Sequence, residues 1–139
     1  MKRFRSLAFP LVLALAVGPL FVAPALAQDG PQVYDVVISF DPSSESMSFS
    51  LDPVVVEAGR GDRIVFSAPG VERWVVSFAE RARTPFRTRE IRGNGRQSRN
   101  VPILADVEPG SYKYDVSVTV GGQTHTVDPE IIVRPRGSG

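Results

Sequence analysis

Seven arginines, Arg81, Arg83, Arg87, Arg89, Arg92, Arg96 and Arg99, crowd into nineteen consecutive positions with only Glu80 and Glu90 as nearby acids. A guanidinium is permanently charged and planar, and its forked donors match a carboxylate or phosphate bidentately. The chemistry such a segment offers is recognition of an anion: a lipid phosphate, an anionic glycan, or an acidic patch on a partner protein. The acidic stretch from Asp29 to Glu57 is an internal candidate for the same charges. The plainer reading is a solvated loop whose charges maintain solubility and discourage edge pairing.

Other chemistry is scarce. The chain has no cysteine and one histidine, His125, which alternates with Thr124 and Thr126. A zinc site takes three or four ligands, so a single imidazole with Asp128 nearby reads first as a strand histidine. A copper or zinc carrier would have to draw on His125, Met47 and carboxylates, since methionine and imidazole both suit copper. Nothing places a base beside a serine, and a thiol nucleophile is excluded, so no enzyme activity is expected. Trp74, the only tryptophan, is in phase with Val76 and Phe78 and reads as a core anchor. Its alternative role is to line a ligand groove.

Residues 1–27 combine Lys2, Arg3 and Arg5 with an apolar run from Leu7 to Val22 and a small-x-small site, Ala25-Leu26-Ala27. This is the pattern of a secretory signal peptide cleaved after Ala27, with no membrane span left afterwards. It implies a periplasmic or secreted location. The remaining residues, 28–139, are expected to form one domain. Three of the 16 lysines and arginines lie in the leader, so 13 basic residues remain against 15 acidic ones. An exported chain of acidic balance is a poor candidate for nucleic acid. Its basic charge is concentrated between residues 60 and 99, which hold ten arginines and four acids.

The elements that must position these groups are strands. Apolar residues recur with period two: Tyr34, Val36, Ile38 and Phe40; Met47, Phe49 and Leu51; Trp74, Val76 and Phe78; and Tyr112, Tyr114, Val116, Val118 and Val120. Strands are expected at Arg63–Ser67, Val101–Val107, Gln123–Val127 and Pro129–Arg134, with a tight hairpin at Gly121-Gly122. Pro53 fits an edge or a crossing between sheets. Residues 80–100 break the alternation and read as a long arginine-rich excursion outside the core, with one short strand near Phe86. Residues 135–139 read as a polar tail. Seven to eight short strands separated by turns make an all-β Greek-key sandwich or barrel.

The runs LDPVVVEAG, GDRIVFSAPG and WVVSF, followed by Gly110-x-Tyr112-x-Tyr114 before the last hairpin, resemble the cupredoxin family over residues 33–134. The resemblance implies a cupredoxin-like Greek-key sandwich. It does not bring the copper ligands with it. The family's first histidine falls at Arg73 or Trp74, its cysteine at Val116, and its closing loop reads Val127-Asp128-Pro129. A type 1 copper site needs two imidazoles and a thiolate, so no electron transfer is expected. The reading is an exported, non-catalytic, cupredoxin-like module lacking type 1 copper. It would recognise an anionic ligand or exported partner through the arginine segment. A copper or zinc carrier and a structural domain of an exported assembly are the alternatives.

Overall fold

The computed structural model describes residues 30–79 and 82–137. The leader segment 1–27, Glu80, Arg81 and the last two residues lie outside them. Eleven strands follow in order: β1 (Val33–Asp41), β2 (Ser46–Phe49), β3 (Val54–Glu57), β4 (Arg63–Ser67), β5 (Arg73–Ser77), β6 (Glu90–Gly93), β7 (Ser98–Pro102), β8 (Gly110–Lys113), β9 (Asp115–Val120), β10 (Gln123–Val127) and β11 (Glu130–Arg134). The described residues contain no helix, and so none long and apolar enough to cross a membrane.

One sheet has the order β2-β1-β4-β7, with β1 and β4 parallel. A second runs β10-β9-β5-β6 and a third β3-β11-β8. The last two belong to one layer, because β8 runs on into β9 and β10 into β11. The Tyr114 N–H donates to Pro129 O at 3.1 Å where the two halves of this long hairpin meet. β2 and β3 form a third interrupted strand, which passes from one layer to the other around Pro53. With these three interruptions merged, the eleven strands reduce to eight, within the seven to eight expected, stacked as a two-layer all-β sandwich.

Alternation explains which residues meet between the layers. Val36, Ile38, Ile64 and Phe66 point inward from one layer; Trp74, Val76, Val116, Val118 and Ile131 point inward from the other, all fully buried. Each such side chain contributes about 1.5–3 kcal/mol by leaving water. At one end Phe66, Phe78, Phe86 and Tyr114 stack mostly edge to face at 5.7–6.1 Å between centroids. Such offset geometries suit the charge distribution of the rings.

Three expectations need correction. Residues 80–100 are not an excursion: they supply β6 and β7, which edge the two layers, and they bury Phe86 and Ile91. An edge strand this short needs only one inward apolar residue, so the segment's low apolar content concealed it. Phe86 fills the core from a loop rather than a strand. The strand expected over Val101–Val107 begins earlier, at Ser98, and ends at Pro102, where the Ile103 N–H turns to Asp62 O. The long strand expected from Tyr112 breaks at Tyr114, so its halves pair with different partners.

The side chain of Tyr114 carries a local cost. The Tyr114 hydroxyl is buried with no hydrogen-bond partner among the described residues. Burial, and then the field of Asp52, hold its phenol above the ordinary tyrosine range. An unsatisfied buried hydroxyl costs about 1–3 kcal/mol. Tyr114→Phe is therefore expected to raise stability by about 1 kcal/mol in urea unfolding. A drop of similar size would mean that the hydroxyl has a partner in solution.

Candidate functional site

The arginines do not form one cluster. β5 and β6 run antiparallel, with Trp74 opposite Gly93 and Ser77 opposite Glu90, and their two ends divide the set. At the Ser77 end, Arg83 pairs with Glu108 at 2.5 Å and lies 5.5 Å from the Tyr112 ring centroid. Arg89 donates to the carbonyls of Ala79 and Ala82, closing the loop that leads into β6. Arg87 is exposed without a partner among the described residues. Arg81 lies outside the described residues. At the Trp74 end, Arg92 pairs with Glu90, and Arg99 Nε donates to the Arg92 carbonyl at 2.8 Å. The Arg96 guanidinium, in the β6–β7 turn, has no partner among the described residues.

Around this second set the register assembles a site. The inward phase of β5 carries Trp74 and Val76, so Arg73 and Val75 face outward. Val75 lies opposite Arg92 on β6 and Ser117 on β9, and Arg73 lies opposite Thr119. On β10, Thr124 hydrogen-bonds Thr119 at 3.1 Å and Thr126 hydrogen-bonds Ser117 at 2.9 Å. The outcome is an open groove lined by Arg73, Val75, Arg92, Ser117, Thr119 and Thr124. The Arg73 guanidinium has no partner among the described residues. Diagonal neighbours on paired strands come within about 7–8 Å, so Arg73 and Arg92 can act on one ligand. The other end of the same face is acidic, where Ser77 sits between Glu90 and Asp115.

Arg73, Ser117, Thr119 and Thr124 were not singled out from the sequence as site residues. The available signal was their outward phase on the strands. Only the pairing of β5 with β6 and β9 brings them to Arg92.

Trp74, with Gly93, also borders this groove, from beneath. It is completely buried, and its indole N–H donates to Asn94 O at 3.0 Å. Its ring covers Gly93 so closely that a Cβ there would lie 2.3 Å from it. The tryptophan thus seats β6 against β5 and fixes the strands that display Arg73 and Arg92.

A second buried constellation ties the layers. Asp62 is fully buried. It receives Arg60 through Nε and Nη2 at 2.7 Å each, the Gln32 N–H at 2.9 Å and the Glu57 N–H at 3.1 Å. Arg60 also reaches Glu57 at 3.1 Å and the Tyr34 hydroxyl at 2.8 Å. Burial pushes the Asp62 pKa up, but the hydrogen bonds from Arg60, Gln32 and Glu57 outweigh it, and the net direction is down. Every acceptor position is satisfied from within, so this is a structural knot.

The residues present do not fit a type 1 copper centre. The chain offers no thiolate, Val116 is sealed in the core, and Arg73 carries no metal-binding lone pair. His125 packs on Phe40, 4.5 Å between centroids, and Phe40 lies opposite Met47 in the β1–β2 pair. No group of three or more His, Cys, Asp or Glu residues that could hold a metal ion occurs among the described residues.

No family model matches the chain, and no curated protein matches it. Among solved structures it is similar to a multicopper oxidase, at 17% identity and a TM-score of 0.46, over 76% of this chain and 43% of that one. The chain therefore spans less than half the length of that protein. It is also similar to auracyanin B, at 17% identity and a TM-score of 0.42, over 75% of this chain and 89% of that one. Nothing about this chain's chemistry follows from likenesses of that size.

Proposed function

We propose that this protein is an exported, non-catalytic binding module that recognises an anionic ligand or partner on the face carrying Arg73, Arg92 and Arg96. One observation supports this most directly. Two of the three guanidinium groups, those of Arg73 and Arg96, are unpaired among the described residues and line adjoining grooves. Arginines that serve only to hold the fold are occupied, as Arg60 and Arg89 are. The export expectation rests on the leader pattern of residues 1–27.

The test is retention on a polyanionic matrix. Arg73→Ala with Arg96→Ala is expected to elute at clearly lower salt and to melt like the parent. Rim charges act mainly through screened, salt-dependent attraction. Arg87→Ala, a free arginine at the other end, is expected to elute with the parent, apart from the small shift due to one lost charge. Equal retention of parent and double variant would sink the assignment. Arg89, which closes a loop, and Arg92, which is paired, are left out of the test.

A copper or zinc carrier has in its favour the contact of His125 with Phe40, which lies opposite Met47 in the β1–β2 pair. Stoichiometric metal uptake abolished by His125→Ala would support it over the anion reading.

A further inference from the structure

The groove holding Arg73 and Arg92 does not stop at Trp74. A second groove, lined by Val71, Glu72, Asn94, Gly95 and Arg96, begins where the first ends, since Glu72 adjoins Arg73 and Asn94 adjoins Gly93. Together they make a track from the hydroxyls of β9 and β10, past Arg92 and Arg73, to Arg96 in the β6–β7 turn. Glu72 stands on this track, with one carboxylate oxygen accepting the Gly121 N–H at 2.8 Å. The charged residues lining the two grooves, Arg73, Arg92 and Arg96 against Glu72, leave two net positive charges spread along it, with Arg92 already paired to Glu90. A single tightly held ion would need convergent donors, whereas a dilute, elongated charge suits a polymer that repeats a weak contact.

From this we infer that the ligand class is an acidic polysaccharide, bearing carboxylate or sulfate groups, laid along the β10–β9–β5–β6 face. This rests on the anion-binding reading above and narrows it. Three features favour a sugar chain over an acidic peptide. The floor is a sheet face whose backbone groups are already committed to the strand ladders, so a peptide backbone cannot add to it as a strand. The adjoining β6 edge is blocked where Arg99 Nε occupies the Arg92 carbonyl. The floor is also rich in hydroxyls that donate and accept, as the Ser117–Thr126 and Thr119–Thr124 pairs do. Of the apolar residues along the track, Trp74 and Val71 are buried and only Val75 is partly open, so the pockets that anchor peptide side chains have little to form from.

The experiment titrates the purified protein with four probes in a calorimeter: a uronic-acid hexasaccharide, a neutral hexasaccharide, hexaglutamate and inorganic sulfate. The acidic hexasaccharide is expected to bind at least tenfold more tightly than hexaglutamate, and the other two weakly or not at all. Ser117→Ala and Thr124→Val should each weaken the hexasaccharide about fivefold, the loss of one hydrogen bond, and leave hexaglutamate unchanged. Arg73→Ala should weaken both anionic polymers. Equal affinity for hexaglutamate and hexasaccharide, or hydroxyl variants without effect, would overturn the polysaccharide inference and leave the anion-binding reading intact. Binding of neither polymer would overturn both. All variants are checked by thermal melting, so that a folding defect is not taken for lost affinity.

Discussion

Asp62→Ala is expected to cost ~3–5 kcal/mol of folding stability, the range for stranding one partner of a buried ion pair. The substitution would leave the Arg60 guanidinium, whose side chain is only 15% exposed, without its bidentate carboxylate. It would also remove the carboxylate that accepts from the Gln32 and Glu57 N–H groups, which belong to the segment leading into β1 and to the end of β3. A domain stable by only about 5–15 kcal/mol would be close to unfolding at room temperature. Urea titration followed by far-ultraviolet circular dichroism measures this directly. A loss under about 1 kcal/mol would show that Asp62 is not the knot described. Removing Arg60 as well should restore part of the loss, because the stranded charge goes with it.

The same group gives stability a pH dependence with a definite sign. The pKa of Asp62 is lowered in the folded protein relative to about 3.9 in an unfolded chain. Its contribution is therefore fully present above about pH 4 and is lost as pH falls through the folded value. Asp62→Asn cannot titrate there, so the variant should lose less stability between neutral pH and that acid range than the parent does.

Trp74→Ala is the other large effect, expected at ~3–5 kcal/mol for truncating a fully buried tryptophan. The cavity would open between β5 and β6, where the ring now covers Gly93 and holds Asn94 O. Trp74→Phe keeps most of the packing and loses the indole hydrogen bond, so it should cost less. Because Trp74 is the only tryptophan, its fluorescence reports the parent's unfolding, with blue-shifted emission expected from a ring shielded from water. Arg73 and Val75 flank it on the outward phase, so the alanine variant should also weaken any binding at the Arg73 groove. Parent-like stability in Trp74→Ala would contradict the packing described.

Alternation alone made most of the sandwich legible. Val36 and Ile38, Ile64 and Phe66, and Val116 and Val118 could be assigned to the inside from sequence, since a strand turns successive side chains to opposite faces and only one face of each layer is dry. The Gly121-Gly122 hairpin followed from local chain geometry in the same way, whereas Pro53 left an edge strand and a crossing both open, and the fold takes the crossing. The arginine segment was visible as charge but not as two edge strands, because β6 buries only Ile91 and β7 only partly covers Val101. The break at Tyr114 was invisible, since the alternation runs straight through it. The site was the least legible part. The six described arginines of the segment fall at opposite ends of β5 and β6, and the groove instead joins Arg92 to Arg73 and to hydroxyls more than forty residues away from Arg73 in the chain. By itself the sequence determined which face each strand residue would take, because that depends on a local period of two. Which outward residues become neighbours depends on strand pairing and register, a non-local choice made by the core as a whole, and that only the tertiary structure decided.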